Sequence, residues 1–453
     1  MFCYLALLPL LAMLGFFGWF FTIMFEGDKP GVTLQPLPEF LSKPQKLTLS
    51  ASDSKRGLKA IRVSIKQGGR ETILLEEGFP FEGFLNRQGT HHYDKDFLVD
   101  PSAISLTQGE VELSVHVWDY SKRGGGNGNV TLIQHRMTVD TIPPAIRVIS
   151  RMHNINVGGS GLIVYQVSSD TQESGVFVND LFFPGFPEDG KAEKGLHVCF
   201  YAIPYDSSPR VPMTLSAKDR AGNVSKTGFY YHVRTTGFRQ EKMDISDRFL
   251  DQVLPYFSFY PTPSEEGDLK RYLKINNDLR KENHLTLMKL TEKTTPRRLW
   301  EGTWLRLSNA ATMARFADHR LYSYKGEKVD EQTHLGMDLA SLSNSPVEAA
   351  NSGRVIYADR LGIYGLTVVL DHGQGLSSLY GHLSKLEVAF GQEIGKGDTI
   401  GFTGQTGLAA GDHLHFAILV NGIFVNPIEW WDEHWIRDNI TKKLALLNAI
   451  DHR

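Results

Sequence analysis

The histidine pair in His413-Leu414-His415 most constrains how this chain can fold, because its alternation is typical of an extended strand. Residues two positions apart point to the same face of a strand, so Leu414 would face the opposite, buried side. The pair follows two other histidine-bearing segments, His334-Leu-Gly-Met-Asp338 and Tyr380-Gly-His-Leu383. We therefore expect a strand-rich C-terminal region in which both histidines of the pair share one face.

Together these motifs supply four histidines and one aspartate. Three protein ligands of nitrogen and oxygen type, with a fourth position left open, are typical of a catalytic zinc site rather than a structural one. Three of the five side chains could hold a metal ion, and two would remain to transfer protons. A single histidine in a glycine-rich strand region is more often structural when it is considered alone, so the interpretation depends on the whole set.

The set resembles the motifs of the lysostaphin-like (LytM-type) zinc endopeptidases of peptidoglycan. The matching segments follow the family's order, at positions 334–338, 380–383, 401–404, 411–416 and 425–427. The resemblance implies that His334, Asp338 and His415 are the protein ligands of Zn²⁺. It also implies that His413 and His382 are catalytic residues that lie beside the metal without binding it.

The chemistry of imidazole agrees with this division of roles. A neutral ring near the reacting water can take its proton and later return one to the leaving amine, and we assign that role to His413. His382 would steady the developing oxyanion or share the proton transfer. The two histidines could be interchangeable.

The same resemblance implies a flattened β-barrel of the duplicated hybrid motif type for residues 305–431. Elements such as Gly353-Arg-Val355 are also similar to the barrels of lipoyl and biotinyl carriers, but no modifiable lysine in a carrier context accompanies them. Ala417 departs from the family, because many relatives carry an acidic residue there. We expect that difference to alter support of the ligands or substrate contact rather than zinc binding.

Upstream, residues 33–234 alternate short apolar strands with turns, which predicts a mainly β chain. A strand, an Asp/Gly/Asn turn and a second strand occur around Asp119 and again around Asp219, as in the closing hairpin of a sandwich. We predict two bacterial immunoglobulin-like β-sandwiches, 33–140 and 141–236, joined at Asp140-Thr-Ile-Pro-Pro144. Asp119 and Asp219 are interpreted as turn residues, with calcium ligation as the alternative.

The hydrophobic period becomes helical in two further segments. Residues 244–304 are predicted to form a helical connector, and residues 432–453 a helical tail. The connector could be a spacer, or it could cover the active-site cleft and keep the enzyme latent. In that case a polar side chain such as Asn309 could occupy the open zinc position.

The first 25 residues contain no charged side chain, and a run of that length can span a membrane as a helix. We favour an uncleaved single-pass inner-membrane anchor, residues 1–25, over a cleaved signal peptide, because the basic n-region is missing. The rest of the chain would then lie in the cell envelope, periplasmic or otherwise outside the cytoplasm. Cys3 and Cys199 are not expected to form a disulfide.

Three other groups of residues are interpreted as structural. His372 is predicted to be a turn or surface residue, and Asp318 and Arg320 to form an ion pair or turn, with substrate contact as the alternative. The tryptophans of the tail are expected to pack against the barrel rather than to line a glycan groove, at positions Trp430, Trp431 and Trp435.

We therefore predict a zinc-dependent endopeptidase that hydrolyses peptide bonds in peptidoglycan stem peptides or cross-links. The immunoglobulin-like modules would position it against the wall or bind an envelope protein partner. One alternative is a non-catalytic LytM-type activator of a separate cell-wall amidase, and another is a sensor whose immunoglobulin-like half carries the function. The formal net charge of -3 gives no reason to expect nucleic acid as a partner.

Overall fold

The structure is a computed structural model, which describes residues 2–188, 192–261 and 267–451. The chain is mainly β, as predicted, and divides into two compact units. Unit 1 comprises the chain up to Pro143 together with Arg220–Asn223, and unit 2 comprises Pro144–Asp219 and the chain from Val224 onward.

The helices are few and mostly short. The α-helices are α1 Phe2–Met24, α2 Arg123–Gly126, α3 Asp247–Val253, α4 Asp268–Lys274, α5 Arg280–Thr291, α6 Ile428–Trp431, α7 Glu433–Ile436 and α8 Lys442–Asp451. Single turns of 3₁₀ or π type lie at Phe84–Asn86, Ala192–Lys194, Leu254–Phe257, Ile275–Leu279, Gly362–Tyr364 and Arg437–Thr441. Helix α1 covers the predicted membrane anchor. Across residues 2–188, 192–261 and 267–451, no helix combines the length and apolar character that crossing a membrane requires.

Unit 1 contains two sheets that share one apolar core. Its strands are β1 Gly31–Gln35, β2 Phe40–Leu41, β3 Gln45–Ser52, β4 Leu58–Gln67, β5 Arg70–Gly78, β6 His92–Val99, β7 Gly109–Asp119 and β8 Val130–Val139. One sheet has the order β1-β3-β6 and the other β2-β8-β7-β4-β5. Apolar side chains at alternate positions, such as Leu47 of β3 and Val115 of β7, are buried in the same cluster. The layers are those of a β-sandwich, and the immunoglobulin-like topology stays a prediction.

The first part of unit 2 also consists of short strands. They are β9 Ile146–Val148, β10 His153–Asn156, β11 Ser160–Val167, β12 Thr171–Val178, β13 Leu181–Pro184, β14 Phe186–Pro187, β15 Leu196–Ala202, β16 Met213–Asp219, β17 Val224–Thr227 and β18 Tyr231–Arg234. They form two antiparallel sheets, β14-β15-β11-β9 and β13-β12-β16-β17, and a parallel pair, β10-β18.

The C-terminal part of unit 2 contains one large sheet and two smaller ones. Its strands are β19 Gln240–Ile245, β20 Ala311–Ala314, β21 Asp318–Tyr324, β22 Glu327–His334, β23 Met337–Ala340, β24 Pro346–Glu348, β25 Gly353–Arg360, β26 Leu366–Gly373, β27 Leu376–Leu383, β28 Lys385–Leu386, β29 Glu393–Ile394, β30 Thr399–Phe402, β31 Leu414–Val420 and β32 Ile423–Val425. The large sheet has the order β20-β23-β31-β27-β26-β25-β29, and β32 pairs with β31. Two smaller sheets, β19-β21-β22 and β24-β30-β28, accompany it.

The predicted connector is part of the body of unit 2 rather than a free spacer. Leu250 of α3, Tyr272 of α4 and Leu287 of α5 belong to the same buried cluster as Leu370 of β26 and Ile418 of β31. The predicted start at residue 244 falls inside β19, which pairs in parallel with β21. The connector and the barrel therefore share one core, and the predicted domain boundaries within unit 2 stay predictions.

Candidate metal centre

Strand pairing brings two of the predicted ligands together on the second and third strands of the large sheet, and the third ligand ends a strand of a smaller sheet. Asp338 on β23 lies directly opposite His415 on β31, and Gly381 on β27 faces His415 from the other side. His334 is the last residue of β22. The strand begins at Leu414 rather than at His413, so the predicted alternation holds for Leu414 and His415, while His413 sits in an isolated bridge to Gly404.

Three donor atoms converge at this point. His334 Nε2 lies 2.9 Å from Asp338 Oδ1 and 3.1 Å from His415 Nδ1, and this His415 nitrogen lies 2.9 Å from the same Oδ1. All three residues are buried. Ligand atoms around a tetrahedral zinc ion with bonds of about 2.0–2.1 Å lie roughly 3.3 Å apart, so the three donors already have nearly the spacing that a metal needs.

Contacts on the far side of each ring determine which nitrogen is offered. Nδ1 of His334 donates to the carbonyl of Arg315 at 3.0 Å, which leaves the Nε2 lone pair for the cluster. His415 offers Nδ1, and its Nε2 is buried against Gly336. A Cβ at residue 336 would lie 2.6 Å from that Nε2, so the glycine of the His-Leu-Gly-Met-Asp motif makes room for the ring.

Arg320 on β21 binds the second oxygen of the aspartate ligand. Its Nη2 lies 3.0 Å from Asp338 Oδ2, and its Nε lies 3.4 Å from Glu241. Burial favours a raised pKa for Asp338, but the charges and hydrogen bonds of His334 and His415 outweigh it and hold that pKa well below the usual range. The carboxylate is therefore ionised, with Oδ1 left for a metal.

This contact corrects the interpretation of residues 318 and 320. Asp318 pairs with Arg239 at 2.8 Å, and Arg320 pairs instead with Asp338. No sequence pattern predicts this contact, because β21 and β23 are not neighbours in any one sheet and the contact depends on how the two sheets meet. Arg320 is the main functional residue that sequence reasoning missed.

The two predicted catalytic histidines lie beside the donors, each with Nδ1 engaged and Nε2 available. His413 Nδ1 donates to Gly411 at 2.8 Å, and its Nε2 lies 3.7 Å from Asp338 Oδ1. His382 Nδ1 donates to Thr406 at 2.8 Å, and the two imidazole centres are 4.8 Å apart. Burial, reinforced by His413 and His415, lowers the pKa of His382 well below its ordinary value, so this ring is neutral. Both rings can exchange protons through Nε2.

Helices of the predicted connector line the same cavity as the four histidines. Phe249 of α3, Tyr272 of α4 and Arg280 of α5 all contribute to its wall, and the cavity holds only about 140 Å³. Sites that take small-molecule ligands usually measure about 300–1,000 Å³. The centre is therefore covered. A larger cavity of about 940 Å³ lies elsewhere in unit 2, near Trp435 and Lys442, and contains none of the motif residues.

Several hydrogen bonds join these helices to the rest of unit 2, and two of them reach residues that line the cavity, Ile363 and Ala410. The amide of Gln252 on α3 donates to the carbonyl of Ala410 at 3.1 Å, two residues from Asp412 in the motif loop. Asn283 of α5 is buried and accepts a hydrogen bond from the backbone N–H of Ile363 at 2.8 Å. Sequence periodicity alone could not reveal that these helices pack over the site.

The expected surface position of His372 and the expected zinc contact of Asn309 are wrong, whereas a packing role for the tail tryptophans is confirmed. His372 is fully buried, with Nδ1 on the carbonyl of Ser352 and Nε2 on Ser378 Oγ, both at 2.7 Å, and the Trp304 ring packs against it at a centroid distance of 4.4 Å. Asn309 is exposed and does not line the cavity. Trp431 stacks on Phe416 of β31, as expected, whereas Trp430 is buried against Trp300 and Trp304, which belong to the predicted connector.

The donor set itself decides whether zinc fits here. Two imidazole nitrogens and one carboxylate oxygen are ligands that Zn²⁺ uses in catalytic sites. The three residues form a group of potential metal ligands whose donor atoms all lie within 4.8 Å of one another. The residues present therefore fit the ion.

Comparison with known proteins gives the same assignment for this region. The sequence model of Peptidase family M23 matches residues 332–427. The chain is 41% identical over 95 residues to the DD-carboxypeptidase/endopeptidase Mpg of Neisseria meningitidis serogroup B, covering 21% of this chain and 22% of that protein. It is 36% identical over 96 residues to the peptidoglycan DD-endopeptidase ShyA of Vibrio cholerae, covering 21% and 22%.

A third relative has a different named role. The murein hydrolase activator EnvC of Escherichia coli is 36% identical over 110 residues, covering 24% of this chain and 26% of that protein. The chain thus spans about a quarter or less of the length of these relatives. Among solved structures, a putative peptidase M23 of Pseudomonas aeruginosa is 20% identical with a TM-score of 0.39, covering 60% of this chain and 93% of that one.

The matched segment contains His334, Asp338, His382, His413 and His415, the five residues gathered around the cavity. The C-terminal part of this chain therefore contains a domain of peptidase family M23, the lysostaphin-like family that its motifs resemble.

Proposed function

We propose that this chain is a zinc-dependent endopeptidase that hydrolyses peptide bonds in peptidoglycan stem peptides or cross-links. One observation carries the proposal: three donor atoms within 3.1 Å of one another lie beside two histidines that keep Nε2 available. His334, Asp338 and His415 would hold the ion. Zinc supplies a Lewis acid for the scissile carbonyl and lowers the pKa of water toward about 7.

The chain's own groups complete the chemistry. His413 would accept the proton of the attacking water at Nε2, because its Nδ1 proton is fixed on Gly411. The proton would then pass from His413 to the leaving amine. His382 would share the proton transfer, because its neutral ring can accept a proton at Nε2 while Nδ1 donates to the Thr406 carbonyl. Arg320 would keep Asp338 oriented through Oδ2.

The proposal includes latency. A cavity of about 140 Å³ is too small for a stem peptide, so α3, α4 and α5 would have to move before substrate reaches the centre. The hydrogen bonds between Gln252 and Ala410 and between Asn283 and Ile363 would then have to break. Latent activity in the wall fits an enzyme whose uncontrolled cleavage would damage the cell.

The proposal also places the catalytic domain in the cell envelope, where peptidoglycan lies, with α1 as the attachment of the chain to the inner membrane. The charge-free sequence of residues 1–25 supports this placement. Fractionation of cells that produce the full chain tests it, because recovery in the cytoplasmic soluble fraction would contradict it.

The test of activity uses the full chain in mild detergent, incubated with isolated sacculi. We expect the wild type to release new amino groups and to reduce cross-linked muropeptides. The His413→Ala variant should lose activity by about 10²–10⁴-fold while binding the same amount of zinc. His434→Ala, which alters an exposed histidine of the tail, is the matched control and should remain active.

An activator of a separate amidase is the second candidate, favoured by the 36% identity to the murein hydrolase activator EnvC. The two are distinguished by opening the cover. If zinc-loaded protein with the Asn283→Ala change still releases no amino groups from sacculi, but increases cleavage by an added amidase, the endopeptidase proposal is wrong.

A further inference from the structure

A second group of ligand-type side chains lies in unit 1, far along the chain from the histidines. Glu26 follows α1, Asp53 follows β3, and Asp119 ends β7. One carboxylate oxygen from each lies within 4.8 Å of the others, and the residues are only 4%, 5% and 0% exposed. Three acidic side chains are thus buried together, which is unfavourable without a compensating cation.

Two of these carboxylates are fixed by the turns that follow their strands. Oδ1 of Asp53 accepts hydrogen bonds from the N–H groups of Lys55, Arg56 and Gly57 at 3.1, 2.7 and 2.7 Å. Oδ1 of Asp119 accepts from the N–H groups of Ser121 and Asn129 at 2.9 and 2.7 Å. The turn role predicted for Asp119 is therefore present, and it leaves Oδ2 with only the Asn129 amide at 2.8 Å.

Glu26 provides an independent observation. Both of its carboxylate oxygens are buried without a hydrogen-bond partner, and its side chain is 1% exposed. The nearest ammonium, Lys55 Nζ, lies 3.9 Å away and is bonded to Asp28 at 2.5 Å. Burial, with repulsion from Asp53 and Asp119, raises the pKa of Glu26 to about 7. A buried carboxylate without a partner is unusual in a native protein and calls for a missing ligand.

The guanidinium of Arg56 does not act as the missing partner of these carboxylates. Arg56 is buried beside the cluster, but its Nε donates to the carbonyl of Tyr120 at 3.3 Å and its Nη1 to the carbonyl of Leu85 at 3.0 Å. Among the described residues, no ion pair within 4.0 Å joins Arg56 to any of the three carboxylates. Its charge still acts on all three carboxylates, so one buried cation is set against three acidic side chains and the site keeps an excess of negative charge.

We propose that Glu26, Asp53 and Asp119 bind a calcium ion. All three ligands are hard carboxylate oxygens, the type that Ca²⁺ prefers, whereas Mg²⁺ is usually held through one or two carboxylates. Two oxygens that share one Ca²⁺ at about 2.3–2.6 Å lie at most about 5.2 Å apart, which the cluster satisfies. Water would supply the remaining oxygens of its six to eight.

The position of the site indicates what the ion does. The backbone carbonyl of Glu26 already accepts hydrogen bonds from Ser121 Oγ at 2.9 Å and from the Asn129 amide at 3.2 Å. Calcium would join the same segment to the β3–β4 and β7–β8 turns through side chains as well. It therefore fastens the chain that leaves α1 to the end of the unit 1 sandwich.

The experiment titrates Ca²⁺ into the full-length, zinc-loaded protein by calorimetry and follows thermal unfolding with and without Ca²⁺. We expect the wild type to bind Ca²⁺ and to unfold at a higher temperature in its presence. Glu26→Gln and Asp53→Asn should each weaken that binding at least tenfold. Glu76→Gln removes the same charge from an exposed position on β5 and should bind Ca²⁺ like the wild type.

Glu26→Gln is expected to fold, because it removes an unpartnered buried charge and keeps the shape of the side chain. In a chelator it should unfold at or above the wild-type temperature, and with Ca²⁺ it should unfold below it. This reversal in the order of the two unfolding temperatures on adding Ca²⁺ is the result expected if Glu26 is a ligand of the ion. Absence of Ca²⁺ binding by the folded wild type, or unchanged binding by Glu26→Gln, would overturn the proposal, and neither result depends on peptidase activity.

Discussion

The cluster of His334, Asp338 and His415 contains one carboxylate among imidazole rings, and Arg320 balances that carboxylate at 3.0 Å. The cluster of Glu26, Asp53 and Asp119 contains three carboxylates, and its nearest ammonium is 3.9 Å from Glu26. The first is close to electrically neutral before any ion arrives, so its donors can rest 2.9–3.1 Å apart. The second keeps a negative charge that an ion must neutralise.

This difference teaches what each ion contributes. A site that is already balanced gains chemistry from its metal more than it gains stability. A site with excess charge gains stability, because the ion relieves repulsion that folding created.

Replacement of a histidine ligand should separate metal binding from folding most sharply. We expect His415→Ala to lose stoichiometric zinc and all measurable amine release from sacculi, because only two of the three donors remain. Metal analysis and muropeptide profiles check this result. Ca²⁺ binding at unit 1 should be unchanged, and zinc that stays bound at wild-type affinity would contradict the ligand assignment.

Acid should act on the sheet that carries the histidine cluster. Burial lowers the pKa of His372 to about 4, against the opposing effects of the Ser352 carbonyl and Asp371. Its folded pKa lies below the unfolded value of about 6.5, so the stability is complete above pH 6.5 and is lost as pH falls toward 4. At pH 4.5 the loss should be on the order of 2–3 kcal/mol.

The check on His372 is the free energy of unfolding of zinc-free protein between pH 7 and pH 4.5, compared with His372→Gln. The variant should lose part of the pH dependence, because glutamine does not titrate. An identical pH dependence for both proteins would show that His372 does not titrate as its burial requires.

Removal of the Arg320 guanidinium should leave the histidine cluster with an unbalanced negative charge, as in the cluster of unit 1. We expect Arg320→Met to weaken zinc binding about 10–100-fold, the usual effect of losing a group that orients a ligand. Competition with a zinc chelator measures it. Arg239→Met removes the equivalent pair with Asp318, which is not a ligand, and is the matched control. Equal affinities for all three proteins would exclude a role for Arg320 at the centre.

The smallest effect is expected from loosening the cover. Asn283→Ala removes the acceptor for the Ile363 N–H and should destabilise unit 2 by about 1–3 kcal/mol. If the cover limits access, amine release should rise, roughly tenfold. Lys281→Ala, at an exposed position two residues earlier in α5, is the control. A faster Lys281 variant, or an Asn283 variant no faster than wild type, would argue against latency.

The sequence indicated which side chains would meet better than it indicated what surrounds them, and the reasons are physical. His334, Asp338, His382, His413 and His415 occur in short motifs that resemble those of one family, and the structure brings all five to one cavity. The roles of Arg320 and His372 depend on contacts that only the folded chain creates, since Arg320 reaches Asp338 from another sheet and the Trp304 ring packs against His372. Glu26 gave no signal, because it follows an apolar run and pairs with nothing nearby in sequence.

The pairing of β31 between β23 and β27 has a consequence for folding. His415 faces Asp338 on one side and Gly381 on the other, so a slip of one residue would put Leu414 or Phe416 at that position and turn the imidazole to the opposite face. Only chains with the correct register present three donors together. Metal binding is therefore a test of correct strand pairing, and a chain that has misaligned the centre of its sheet cannot be rescued by adding the ion.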